Sequence, residues 1–219
     1  MEDHMSKPLL QVALDHLNIA SALEASRSLA DEVDVLEMGT ILCYAEGSKT
    51  VGLLRALYPE KKIVADLKAA DAGGTVAEIV FSQGADWMTV ICCAPYATME
   101  AAREVARSYG GDLQIELYGE WTFEQAGRWR EIGLTQAIYH RGRDAGLAGQ
   151  QWGEEDLGKI RRLADMGFEV SVTGGLYAKD LGIFKGIPVK CFIAGRGLYG
   201  ADDPAQAARD FKEAINQYW

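Results

Sequence analysis

Lys62-Ile63-Val64-Ala65-Asp66-Leu67-Lys68-Ala69-Ala70-Asp71 is the stretch on which the fold turns. Lys62–Lys68 reads as a buried strand, and it leaves the core carrying two acids and a lysine. Residues i and i+2 of a strand share a face, so Asp66 and Lys68 should project together. Asp71 should open the next helix. Three charges at the end of a core strand need one another, a metal ion or a charged ligand. The plainer alternative is a solvated strand end followed by an aspartate N-cap.

The same rhythm of apolar run and helical pattern fills the chain. Further strands are expected at Leu9–Asp15, Val33–Gly39, Trp87–Cys92, Leu113–Leu117, Gln136–His140, Glu169–Thr173 and Lys190–Ala194. Val170-Ser171-Val172-Thr173 and Met88-Thr89-Val90-Ile91 read as strands covered on both faces, as in parallel sheets. Between them, Leu157, Ile160, Leu163 and Ala164 fall on one helical face, with Gly167 at the C′ position. Asp203-Pro204 reads as N-cap and N1 of a last helix with Ala208, Phe211 and Ile215 on one face. No linker interrupts the series. Eight β-α units in 219 residues predict a single (β/α)8 TIM barrel over residues 1–219, with 1–8 as an N-terminal tail. An eight-stranded doubly wound sheet is the rival, but Ala13-Leu14-Asp15-His16 lacks its Gly-rich first turn.

Composition narrows the function. The chain is 48% hydrophobic and 25% charged, with a net charge of −10 and no basic run. A nucleic-acid partner is therefore not expected. No apolar stretch is long enough for a membrane span, and Met1–Pro8 lacks a signal-peptide core. Cys43, Cys92, Cys93 and Cys191 show no CxxC spacing and read as reduced thiols of a cytoplasmic protein.

A barrel of this kind does its chemistry at the C-terminal strand ends. Those ends present Asp15; Glu37 with Gly39-Thr40; Asp66, Lys68 and Asp71; Cys92-Cys93 alone; Glu116; His140, Arg141 and Arg143; Thr173-Gly174-Gly175; and Gly195-Arg196-Gly197. The last two follow strands seven and eight, where barrels often build a phosphate site from glycine turns. Two ordinary βα turns are the alternative. Glu37 and Asp66 end neighbouring strands and offer hard oxygen ligands suited to Mg²⁺; simple neutralisation by Lys68 is the rival, and the two can coexist. His140 in an apolar strand could be a core residue, but the two nearby arginines favour a site role. His4 and His16 read as incidental, and Trp121, Trp129, Trp152 and Trp219 as packing.

Taken in order, these residues resemble a known family. Asp66-x-Lys68-x-x-Asp71 looks like the signature of the orotidine 5′-monophosphate decarboxylase suprafamily. Leu10-Gln11-Val12-Ala13-Leu14-Asp15, Glu37-x-Gly39-Thr40, Gln114-Ile115-Glu116-Leu117, Tyr139-His140-Arg141-x-Arg143-Asp144-Ala145, Val172-Thr173-Gly174-Gly175 and Phe192-Ile193-Ala194-Gly195-Arg196 resemble its 3-keto-L-gulonate 6-phosphate decarboxylase branch. The resemblance runs from about Leu9 to Trp219. It implies a Mg²⁺-dependent decarboxylation giving L-xylulose 5-phosphate through a cis-enediolate, in L-ascorbate utilisation. It further implies a homodimer with shared active sites. By position, Glu37 and Asp66 would be metal ligands, Lys68 would sit beside the enediolate oxygens, and Asp71 would reach the partner's site. Glu116, His140 and Arg143 would support proton delivery. Asp15 and Thr173 would contact substrate, and Gly175, Gly195 and Arg196 would hold its phosphate. The alternative on the same scaffold is a 3-hexulose-6-phosphate synthase, which does aldol chemistry; a non-enzymatic barrel would predict a broken site.

Overall fold

The structure, a computed structural model, describes residues 6–142, Gly146, Gly149 and residues 151–219. Among them eight strands close into a parallel barrel in sequence order, β1 pairing with both β2 and β8. The strands are β1 Leu9–Leu14, β2 Val35–Met38, β3 Lys62–Ala69, β4 Trp87–Ile91, β5 Asp112–Leu117, β6 Gln136–His140, β7 Glu169–Thr173 and β8 Val189–Ala194. Six differ from the sequence expectation by one or two residues at an end; β6 and β7 match it. This is a (β/α)8 TIM barrel, and an open doubly wound sheet is excluded by closure of β8 onto β1.

The helices form the outer layer. They are α1 Ile19–Leu29, α2 Thr40–Glu46, α3 Lys49–Leu57, α4 Gly73–Phe81, α5 Tyr96–Ser108, α6 Phe123–Glu131, α7 Glu154–Asp165, the short α8 Arg196–Tyr199 and α9 Pro204–Tyr218. A 3₁₀ helix, Ala178–Phe184, serves the seventh unit. Their ends follow local chemistry. The Asn18 side chain accepts from Ser21 N at 2.9 Å, and Thr122 and Gln125 form a reciprocal capping box. Asp203 caps α9, accepting from Gln206 N at 2.9 Å, with Pro204 at the first position. Leu157, Ile160 and Leu163 are the buried stripe of α7, and Gly167 follows with φ +88°.

The main core lies between the sheet and the helices, where Leu10, Val12, Leu36, Met38, Ile63 and Ala65 meet Leu29, Leu42 and Phe211. The tryptophans read as packing do pack: Trp129 is buried, and Trp121, Tyr139, Trp152, Phe184, Phe192 and Trp219 run as a chain of ring contacts.

Inside the barrel the composition departs from expectation. The residues alternating with the outward set include Gln11, Glu37, Asp66, Thr89, Gln114, Glu116, Gln136 and Ser171, all buried. Strands read as apolar on both faces are therefore apolar toward the helices and largely polar toward the axis. Among the described residues the buried inward apolar side chains form two small groups, Val35, Val64 and Trp87 at one, and Ile138, Cys191 and Ile193 at the other. A buried polar interior holds together only when its groups bond one another. Gln114 Nε2 accordingly donates to Gln136 Oε1 at 3.1 Å, and Gln136 Nε2 to Asp112 Oδ2 at 2.8 Å.

Candidate active site

A cavity of about 180 Å³ opens where the strands end. Its lining includes Asp15, Glu37, Asp66, Lys68, Glu116, His140, Thr173, Gly175, Gly195 and Arg196. Ten of the residues singled out from the sequence thus share one mouth. One described residue does not join them. Asp71 is exposed and does not line the cavity. Arg143 lies outside the described residues.

Strand β3 supplies the centre. Lys68 Nζ donates to Asp66 Oδ2 at 2.6 Å and to Thr40 Oγ1 at 2.8 Å, and stands 3.5 Å from Glu116 Oε1. Asp66 also accepts from Thr40 Oγ1 at 2.5 Å and from Thr89 Oγ1 at 2.8 Å. Asp66 and Lys68 do project together, but not by simple alternation. The β3–β4 register shifts between Ala65 and Ala69, and Lys68 adopts φ +48°. A left-handed lysine is strained; its backbone N–H is held by Thr89 Oγ1 at 2.8 Å. The helix beyond also corrects the sequence reading. Ala72, with φ +51°, is the N-cap of α4, whereas Asp71 accepts from its neighbour Ala72 N at 2.7 Å.

Neighbouring strands complete the cluster. His140 Nδ1 is hydrogen-bonded to Glu116 Oε1, and Tyr118 packs edge-on against the imidazole at 5.3 Å. Glu37 Oε2 accepts from Gln11 Nε2 at 2.5 Å. The Thr173 hydroxyl donates across to Ile193 O at 3.1 Å. Gly39 permits Asp15 to reach the mouth: a Cβ there would lie 2.4 Å from Asp15 Oδ1.

The charges are strongly interdependent. Burial, together with the nearby Asp66 and Asp15 carboxylates, pushes Glu37 well above the ordinary carboxyl range, against the Gln11 hydrogen bond. Burial also pushes Asp66 upward. The Lys68 charge and the hydrogen bonds from Lys68, Thr40 and Thr89 outweigh it and hold Asp66 below its ordinary value. For Lys68, burial favours the neutral amine, but the Glu116 and Asp66 carboxylates overcome it and raise the group far into the ammonium range.

Four carboxylates face two side-chain cations and one histidine around this cavity. That surplus of buried negative charge suits a hard cation. Among the described residues no three His, Cys, Asp or Glu side chains draw together as a ready-made cage. Mg²⁺ does not need one, since it is commonly held by one or two carboxylates with water and substrate oxygens. Glu37 and Asp66 fit that requirement.

Sequence reasoning missed three contributors. Thr89 was hidden because the fourth strand seemed to end only in Cys92-Cys93. In the structure Cys93 is exposed, Cys92 Sγ turns to Tyr118 O at 3.3 Å, and Thr89 is the residue that lines the cavity. Thr89 is the one polar residue between Trp87 and Ile91, and that break in an apolar run is the signal that could have found it. Gln11 lay inside a quoted motif and Thr40 among the strand-end residues, but neither carries a charge and neither was given a role. His16 is also less incidental than expected: its ring packs 4.5 Å from Tyr199, which lines the cavity.

The fold and this strand-end cluster together define a (β/α)8 barrel with a charged, enzyme-like mouth, and comparison with known proteins gives its family. Residues 8–211 match the orotidine 5′-phosphate decarboxylase / HUMPS family model, and the chain belongs to that family. It is 54% identical over 215 residues to the 3-keto-L-gulonate-6-phosphate decarboxylase UlaD of Salmonella paratyphi B, covering 98% of this chain and all of that protein. Among solved structures it superposes on a ligand-bound crystal structure of KGPDC from Streptococcus mutans with a TM-score of 0.96 and 52% identity, over 98% of this chain and all of the other. The 3-hexulose-6-phosphate synthase from Salmonella typhimurium matches with a TM-score of 0.90 at 25% identity, over 96% and 100% of the two chains.

Proposed function

We propose that the protein is a cytoplasmic carboxy-lyase that converts 3-keto-L-gulonate 6-phosphate to L-xylulose 5-phosphate and CO₂ in L-ascorbate catabolism, with Mg²⁺ as its metal. The observation that carries this reading is the 54% identity to named decarboxylases over 98% of the chain. Two solved 3-hexulose-6-phosphate synthases share the fold almost as well but only 25% and 31% of the sequence. No helix among the described residues is long and apolar enough to cross a membrane.

In this reading Gly175, Gly195 and Arg196 take the phosphate, far from the reacting carbon, so that its binding energy orients the sugar. Asp15 and Thr173 flank the sugar chain. Glu37 and Asp66 would hold the metal. When bound, Mg²⁺ supplies Lewis-acid stabilisation of negative charge on substrate oxygens. Breaking the bond to the carboxylate releases CO₂ and leaves its electron pair in a cis-enediolate. Lys68 is a fixed ammonium beside the place where that charge collects, and a preorganised cation there lowers the barrier. Reprotonation at carbon completes the reaction. Glu116 holds His140 through Nδ1, which leaves Nε2 to pass a proton, with Arg143 anchoring an intervening water. The site is completed in a homodimer: Asp71, exposed and absent from its own cavity, reaches the site of the other subunit.

The test is a head-to-head assay with Mg²⁺ of 3-keto-L-gulonate 6-phosphate against ribulose 5-phosphate plus formaldehyde. CO₂ release should dominate. Formaldehyde consumption exceeding it would favour the synthase reading, and turnover of neither would remove both.

A further inference from the structure

Arg141 lies just past β6 and does not line the cavity, yet it holds the far side of the turn after β7. Its backbone N–H donates to Thr173 O at 3.0 Å, and Nη2 donates to Gly174 O at 2.8 Å. Its guanidinium stacks 5.0 Å from the centre of the Trp152 ring. The turn is shaped around it. Gly174 has φ +118°, and a Cβ there would lie 2.1 Å from Arg141 O; a Cβ at Gly175 would lie 3.0 Å from Nη2. Among the described residues no carboxylate pairs with this guanidinium. A guanidinium therefore sits directly behind a glycine turn whose front faces the cavity.

From this geometry we infer that Arg141 is a positioning residue for the phosphate end of the site. It fixes the Thr173–Gly175 turn in a left-handed form and adds its field to the anion bound on the other side. The inference rests on the reading of this cavity as a sugar-phosphate site. A guanidinium is required and not merely a cation, because the flat fork bonds Gly174 O while its face stacks on Trp152.

The experiment compares wild type, Arg141→Gln and Arg141→Lys, each checked for folding by its melting temperature. Binding of inorganic phosphate is measured by calorimetry, and KM and kcat are measured with 3-keto-L-gulonate 6-phosphate. Arg141→Gln should weaken phosphate binding and raise KM by about tenfold, the effect of one lost charge-assisted contact. Its kcat should fall much less than its KM rises, and Arg141→Lys should lie between it and wild type. Unchanged phosphate affinity in both variants, or a fall in kcat at constant KM, would overturn the inference. Should Arg141→Gln fail to fold, Arg141→Lys decides: phosphate affinity equal to wild type rejects the role. Arg141-dependent phosphate binding in a protein that releases no CO₂ would instead reject the decarboxylase reading and leave this one standing.

Discussion

At the scale of single residues, the site is a set of charges that stabilise one another. Asp66 and Glu116 are both buried, and Lys68 is the cation they share. Removing one partner of such a cluster leaves carboxylates without compensation, which typically costs about 3–5 kcal/mol. Lys68→Ala should therefore lower stability by about that amount in the metal-free protein, measured by urea unfolding. It should also slow decarboxylation by about 10²–10³-fold. Lys68→Ala with unchanged stability would mean that these pairs are not formed in solution. The charged members of this cluster were legible in the sequence because ionisable groups at the end of an apolar strand have few uses. Thr89, Thr40 and Gln11 were not, since a neutral polar residue in a strand reads equally as a β-former or a surface position. Nor could sequence show that Lys68 is left-handed, because that conformation is imposed by its contacts and contradicts its own preference.

Elements were more legible where local chemistry sets them. The α9 start follows from Asp203-Pro204 alone, and the structure shows the expected side-chain cap on Gln206 N. Asp203→Ala should cost about 1 kcal/mol, read as a lowered urea midpoint with an unchanged slope, while kcat and KM stay as in wild type. A loss of activity would place α9 closer to the chemistry than the barrel allows. Asp71 shows the opposite case. It has the composition of an N-cap, but the chain makes one more left-handed step at Ala72 before α4 begins. Just after it Gly73 closely approaches Thr98 O, where a Cβ would lie 2.0 Å away, and such a contact between helices is invisible in sequence. The strand limits were displaced for a related reason. Hydrophobicity marks where a strand is buried, whereas its ends are set by pairing with neighbours.

For the whole molecule, eight recurring units predicted a closed barrel, and closure places all eight strand ends around one mouth. Closure also explains the polar interior. The axis of a small barrel is lined by every other residue of each strand, so a sequence can look doubly apolar while Ser171, Gln114 and Gln136 face inward. The chain alone leaves Asp71 outside its own cavity. In the proposed shared-site dimer, mixing Asp71→Ala and Lys68→Ala subunits should restore part of the activity, because one of its two sites would then be intact. A verified mixed dimer without recovery would exclude the trans role. The most direct measurement is CO₂ release from 3-keto-L-gulonate 6-phosphate, followed before and after chelation of the metal and again after Mg²⁺ is restored. A Mg²⁺-dependent decarboxylase gives stoichiometric CO₂, a fall of about 10²-fold or more on chelation, and full recovery with Mg²⁺. No CO₂ from the intact protein, or turnover that survives chelation, would contradict that assignment.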